Sequence, residues 1–120
     1  MNTYMRVMSL RYGRPSPAVD LSGDAPPERF TREMGFTLQD YLRTLPAALG
    51  ELEYRVVGRE TIVHHPSGEI RIRLHPTGVR RIAALAIPLT PVEFSFSGLD
   101  ALERKRFLDR FDLYFQRGGG

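Results

Sequence analysis

The sequence contains no cysteine and no tryptophan among its 120 residues. Without cysteine the chain can have no disulfide framework, no thiolate metal site and no cysteine nucleophile. It also lacks a long hydrophobic run, since the longest, from Ile82 to Ile87, is far shorter than the ~18 residues of a membrane span. Arg6 and Arg11 interrupt the apolar residues near the N-terminus, unlike the core of a signal peptide. We therefore expect a soluble, cytoplasmic domain with no membrane partner.

Arginine supplies almost all of the positive charge in a chain whose formal net charge is +3. Of the 17 positive residues only Lys105 is a lysine. A GC-rich genome is one explanation for this bias. Its physical consequence is the same whatever the cause, because arginine makes planar, bidentate contacts to carboxylate and phosphate groups that lysine cannot make. With 42% hydrophobic residues the chain can also bury a core, which excludes wholesale disorder.

Proline and glycine divide the chain into three parts. The segment 11–27 carries Pro15, Pro17, Pro26 and Pro27, and such residues favour an extended conformation. Residues 1–27 are therefore predicted to form an extended N-terminal arm, with a short strand over residues 3–10. Residues 28–117 form a single predicted domain, and residues 118–120 form a flexible glycine tail.

The predicted domain begins and ends with helices. After Pro27 we expect a short helical turn, and the capping-box pattern at Thr37 and Asp40 predicts a helix that Gly50 closes. Asp100 with Glu103 predicts the start of a long C-terminal helix, whose apolar residues recur at helical spacing. Strand-like runs separated by turns lie between them, at residues 54–57, 61–65, 69–74, 80–87 and 92–96. This order predicts an α+β fold, with an antiparallel meander of four to five strands and helices packed on one face.

The strand register decides which side chains face the core. We expect the turns to pair Val57 with Thr61, His65 with Glu69, and Leu74 with Arg80. The predicted core face then contains Tyr54, Val56, Ile62, His64, Ile70, Ile72, Ile82 and Ala84. The opposite face contains Arg55, Thr61, Val63, His65, Glu69, Arg71, Arg73 and Arg81.

Four arginines of the opposite face are the candidate binding residues: Arg55, Arg71, Arg73 and Arg81. In the predicted register Arg73 lies directly across from Arg81, and like charges opposed on adjacent strands repel. An acidic group should therefore lie over them. Glu69, Glu93 or a carboxylate of the N-terminal arm could supply it from within the chain. An acidic protein surface, a phosphate or a nucleic-acid backbone could supply it from outside.

The sequence contains no arrangement typical of a catalytic or metal site. Adjacent strand residues point to opposite faces, so His64 and His65 cannot bind one ion from a regular strand, and no metal is expected. No phosphate-binding glycine loop or nucleophile motif is present, so no cofactor is expected either. The candidate ligand pocket that is left lies near Tyr54 and His64, between sheet and helix. The sequence therefore favours a non-catalytic protein without excluding an enzyme.

The order from Thr37 onward, helix, three strands and helix, resembles that of double-stranded-RNA-binding domains. The resemblance implies a basic cluster at the start of the last helix, where it would meet phosphates. Here that start is acidic, at Asp100 and Glu103, and Arg104 comes after it. The Gly118–Gly120 ending resembles that of ubiquitin-like modifiers and sulfur carriers, although here it follows a predicted helix directly.

Three functional hypotheses follow. The first is a small accessory or interaction protein whose arginine face binds an acidic protein surface or an anionic ligand. The second is a nucleic-acid-binding protein, with RNA as the target, that uses the same face. The third is an enzyme or ligand-binding protein with a pocket near Tyr54 and His64. A homodimer formed through an exposed strand edge is compatible with all three.

Overall fold

The computed structural model describes residues 25–117 of the chain. Most of the predicted arm and the whole glycine tail therefore lie outside the described residues. The elements are β1 (Arg29–Met34), α1 (Leu38–Leu49), β2 (Glu53–Val57), β3 (Glu60–His65), β4 (Gly68–Leu74), β5 (Gly78–Ile82), β6 (Leu85–Ser97) and α2 (Ala101–Arg117). Within the described range, neither helix has the length and hydrophobicity needed to cross a membrane.

The strands of the main sheet have the order β1-β6-β4-β3-β2, and each neighbouring pair is antiparallel. The long strand β6 pairs with β1 and β4 through its second half and with β5 through its first half. The predicted α+β class, antiparallel sheet and C-terminal helix are confirmed. The described part has six strands rather than four to five.

Strand β1 was not predicted from the sequence. We expected a helical turn after Pro27, and this expectation is wrong, because Arg29–Met34 pairs along its whole length with β6. Its side chains alternate between exposed and half-buried, and the half-buried Phe30 stacks on Phe94 with ring centroids 5.0 Å apart. Aromatic packing across the strand pair therefore outweighs the helix-start signal of proline.

The core lies between one face of the sheet and the two helices. Val63, Ile70 and Phe94 are fully buried on the sheet side, and Phe111 and Phe115 of α2 pack over them. The helix ends follow the prediction. Thr37 and Asp40 form a reciprocal capping box, and so do Asp100 and Glu103. Gly50 closes α1 with a positive φ of 63°.

The predicted register of β3 is wrong by one residue. Val57 pairs with Glu60 and His65 with Gly68, so each hairpin has a two-residue turn where we expected three residues. A shift of one residue reverses the two faces of a strand. Thr61 and Val63 therefore face the helices and are buried, whereas His64 faces outward and is exposed. The second short turn compensates for the first, so the predicted faces of β2 and β4 are those observed.

Strand β4 does not form a hairpin with β5. Leu74 pairs with Val92 of β6, not with Arg80, and β5 pairs with the first half of β6 beyond the end of the main sheet. Residues 78–89 thus form a two-stranded ribbon that extends the sheet. Arg81 lies on this ribbon opposite Ala86, so the expectation that Arg73 faces Arg81 is wrong.

Candidate anion-binding site

The helices cover one face of the sheet, and the site lies on the other, which we call the outer face. It consists of the outward side chains of β1, β2, β3, β4 and the second half of β6. Directly paired residues form rows across this face. One row is Arg29, Ser95, Arg71, Ile62 and Arg55. The next is Thr31, Glu93, Arg73, Glu60 and Val57.

A depression of about 280 Å³ lies where the two rows meet. It is lined by Arg29, Glu60, Arg71, Arg73, Glu93 and Ser95. Three strands supply its three arginines and the serine, because β1, β4 and β6 are neighbours in the sheet. We call this depression, with its six lining residues, the arginine depression. Guanidinium groups placed around one opening can donate paired hydrogen bonds to a carboxylate or a phosphate.

Arg71 is already engaged by carboxylates of the same face. Its Nε lies 2.7 Å from an oxygen of Glu69, and a terminal nitrogen lies 3.6 Å from Glu60. The hydrogen bond from Arg71 lowers the pKa of Glu69 below its usual range, and the same pair raises the pKa of Arg71. Arg71 is therefore held in place by its own chain. Glu69 is one of the acidic groups of the chain that we expected to lie over the arginines.

Arg29 and Arg73 are the exposed arginines of the depression that form no ion pair with a carboxylate of the described residues. In the range 25–117 no carboxylate oxygen lies within 4.0 Å of either guanidinium. Glu93 is the direct partner of Arg73 in the register, but its carboxylate contacts Nε2 of His75 at 3.3 Å. These two arginines can therefore accept an anion without first breaking an ion pair to a described residue.

The structure brings together only part of the predicted binding set. Arg55, Arg71 and Arg73 lie on the outer face, while Arg81 lies on the ribbon. Arg29 belongs to the depression and was missed, because the sequence around it was assigned to a helical turn. The apolar residues Phe30 and Met34, which a strand places on one face while Arg29, Thr31 and Glu33 lie on the other, are the signal that could have found the strand.

The predicted pocket near Tyr54 and His64 is not formed. Tyr54 lies half-buried on the helix side of the sheet, next to the core. His64 is exposed on the outer face, because the register of β3 differs from the predicted one. The sheet itself separates the two side chains, so they cannot line one cavity.

The outer face carries both signs of charge. Besides Arg29, Arg55, Arg71 and Arg73, glutamates occupy outward positions on every strand of this face. They are Glu33, Glu53, Glu60, Glu69 and Glu93. The face is therefore a mosaic of both charges, with a local concentration of arginine at the depression.

Residues 25–117 contain no cluster of metal ligands, and the hydroxyl of Ser67 is held by a carboxylate and not by a histidine. Between residues 25 and 117 no group of three or more histidine and carboxylate side chains is placed to bind a metal ion. Ser67 donates its hydroxyl proton to Glu103, while its backbone N–H donates to Nδ1 of His65 at 3.0 Å. The histidine does not accept the serine proton, so this cluster lacks the hydrogen bond that activates a serine.

Comparison with known proteins adds no relative. No family model, no curated protein and no solved structure matches the chain. The six-stranded sheet, with a strand before α1, also departs from the helix and three-strand order of double-stranded-RNA-binding domains. The fold thus defines the class of the protein as α+β, with one sheet face that neither helix of residues 25–117 covers. The functional argument therefore rests on the residues of this chain.

Proposed function

We propose that this chain is a small non-catalytic interaction protein that binds an acidic group of a partner protein in the arginine depression. The observation that carries the proposal is the position of Arg29 and Arg73. Both line one depression, both are exposed, and neither is within 4.0 Å of a carboxylate of the described chain. Ser95 adds a hydroxyl donor beside Arg29 in the same depression, since it is the direct partner of Arg29 on β1 and of Arg71 on β4.

The mixed charge of the outer face favours a protein over a nucleic acid. A nucleic-acid surface must lie along a continuous row of phosphates, and its affinity comes from neutralising many of them. Glu60 and Glu93 line the same depression as the arginines and would repel an extended phosphate backbone. A protein can place one carboxylate at Arg29 and Arg73 and donors at the glutamates, which is the complementarity that sets specificity between proteins.

The proposal is tested by titrating the protein into a fluorescent oligoglutamate peptide and into a fluorescent short RNA duplex. We expect the peptide to bind and the Arg29→Glu/Arg73→Glu variant to bind it about tenfold more weakly or worse. The matched control is Arg43→Glu/Arg106→Glu, which changes the net charge equally. Both control residues are exposed and lie on the helices, on the other side of the sheet.

Each outcome bears on the proposal. Equal loss of binding in both double variants would show that only net charge matters and would overturn the site. Tighter binding of the RNA duplex than of the peptide, lost in the Arg29→Glu/Arg73→Glu variant, would establish the nucleic-acid hypothesis instead. Circular dichroism and a urea denaturation curve for each variant show that the compared proteins are folded.

A further inference from the structure

The ribbon of β5 and β6, residues 78–89, has two backbone edges beyond the main sheet. Among the described residues β5 pairs only with β6, so its other edge has no strand beside it. All five residues of β5 are exposed, and none of them is a proline. Such an edge is a template on which another extended chain can pair.

The hairpin geometry shows which backbone groups this edge offers. A two-residue turn, Ala83 and Ala84, places Ile82 opposite Leu85 as a hydrogen-bonded pair. Hydrogen-bonded and non-hydrogen-bonded pairs then alternate along the ribbon. Val79 and Arg81 are therefore the β5 residues whose N–H and C=O groups point away from β6. The other edge of the ribbon is less suitable, because Pro88 lies opposite Val79 and has no N–H to donate.

The side chains of the ribbon are apolar or positive. Val79, Ile82 and Leu85 are 62%, 51% and 64% exposed, and Arg80 and Arg81 are the charged residues of β5. No aspartate or glutamate occurs between Glu69 and Glu93 in the sequence. Arg80 has one nearby carboxylate in the described chain, that of Glu33 at 3.9 Å, which is a loose contact between exposed groups.

This charge pattern disfavours a second copy of the chain as the partner of the edge. Two β5 strands that pair antiparallel would bring the Arg80 and Arg81 side chains of both copies together, without an acidic residue on either strand. Like charges on directly paired strands repel. An occupant with carboxylates at these positions and apolar residues beside Val79 and Ile82 removes the repulsion and covers the exposed side chains.

We propose that β5 binds an extended acidic segment of a partner protein by strand addition. Paired antiparallel to β5, the segment places an apolar residue opposite Ile82 and another opposite Val79. Between them it places two acidic residues, opposite Arg81 and Arg80. Its backbone pairs with Val79 and Arg81, and its two carboxylates lie beside the two arginines. This surface shares no residue with the arginine depression, so the inference is independent of the function proposed above.

The probe is a capped peptide of sequence Thr-Ile-Glu-Glu-Val-Thr, titrated into the isotope-labelled protein and followed by amide NMR. We expect shifts centred on the amides of Val79 and Arg81, and slower hydrogen exchange at both. The Arg80→Glu/Arg81→Glu variant should weaken binding about tenfold. A peptide with lysines in place of the glutamates should bind this variant better than the native protein.

The controls separate this edge from the arginine depression. The amide shifts at Val79 and Arg81 should saturate at the same peptide concentration in the Arg29→Glu/Arg73→Glu variant, because its substitutions leave β5 unchanged and remove only the separate contact of glutamates with the arginine depression. Shifts centred on Arg29 and Arg73 instead of β5, or no shift at all at saturating peptide, would overturn the proposal. So would a dimer that forms without peptide and protects the Val79 and Arg81 amides, since the occupant would then be a second copy.

Discussion

Arg73 and Glu93 are direct partners on neighbouring strands β4 and β6, yet no ion pair joins them. The carboxylate of Glu93 lies against His75 instead, at 3.3 Å. On the other side of Arg73, Glu60 contacts Arg71 at 3.6 Å. Both glutamates are thus oriented toward other groups, and among the described residues no carboxylate lies within 4.0 Å of the Arg73 guanidinium.

This arrangement predicts that Glu60 and Glu93 weaken the binding of an anion. The double variant Glu60→Gln/Glu93→Gln should bind oligoglutamate several-fold more tightly, because it removes two negative charges that line the depression. At a surface, the repulsion between one such charge and a bound anion amounts to about 1 kcal/mol at low salt, and it decreases as salt is added. Titration at low and high salt measures the gain. A matched Glu51→Gln/Glu53→Gln variant should gain less, and an equal gain would contradict a local effect.

The core contains a hydrogen bond on which stability depends. The hydroxyls of Tyr41 on α1 and Thr61 on β3 are 2.6 Å apart and buried. Tyr41→Phe should lower the free energy of unfolding by about 1–2 kcal/mol, since the Thr61 hydroxyl is left buried without this partner. Urea denaturation measures the loss. Tyr54→Phe, at a half-buried tyrosine with no hydrogen bond to described residues, should change stability little; an equal loss in both variants would argue against the hydrogen bond.

The turn of the ribbon is strained at one residue. Ala83 has a positive φ of 55°, a conformation that favours glycine. Ala83→Gly should therefore raise the free energy of unfolding by about 0.5 kcal/mol, after the entropy cost of glycine is subtracted. Ala84→Gly is the control, because Ala84 is not among the described residues with positive φ and glycine should bring no gain there. A loss of stability in Ala83→Gly would show that this turn is not strained.

The capping box of α2 makes part of the stability depend on pH. The hydroxyl of Ser67 and then the backbone N–H of Asp100 lower the pKa of Glu103 below its ordinary value of 4.5. A lowered carboxyl pKa contributes stability that is fully present above the ordinary value and is lost as pH falls through the folded-state value. Ser67→Ala should thus cost about 0.5 kcal/mol at neutral pH, a small value because the site is exposed.

The same cost should shrink as the pH falls below 4.5 and through the lower folded-state pKa of Glu103, because the carboxylate then becomes protonated in the folded protein. Denaturation curves at neutral and acidic pH measure it. Ser95→Ala is the control. Among the described residues Ser95 makes no hydrogen bond to a carboxylate, so the effect of this substitution on stability should not vary with pH. A Ser67→Ala effect that stays constant over this range would refute the proposed link to Glu103.

The sequence predicts the elements with strong local signals and misses those that depend on pairing. The capping boxes at Thr37 and Asp100 specify the helix starts, and apolar spacing specifies the buried face of α2. The faces of β3 depend instead on whether a turn has two residues or three, and Gly58-Arg59 is compatible with either length. His64 was therefore placed on the wrong face.

The candidate site was predicted in part for the same reason. Arg71 and Arg73 alternate with buried residues inside one strand, so their common face follows from the sequence alone. Arg29 comes from β1, and its neighbours Ser95 and Arg71 are distant in the chain. Only the sheet order reveals that these residues line one depression. The ribbon that separates Arg81 from Arg73 depends on pairing with β6 in the same way.

The most direct measurement of the central claim is NMR of the arginine side-chain Nε–Hε groups during titration with oligoglutamate. We expect the signals of Arg29 and Arg73 to shift first and to saturate together, while those of Arg43 and Arg106 on the helices do not move. Uniform small shifts of all arginines, or saturation at Arg43 and Arg106 with no change at Arg29 and Arg73, would contradict that claim.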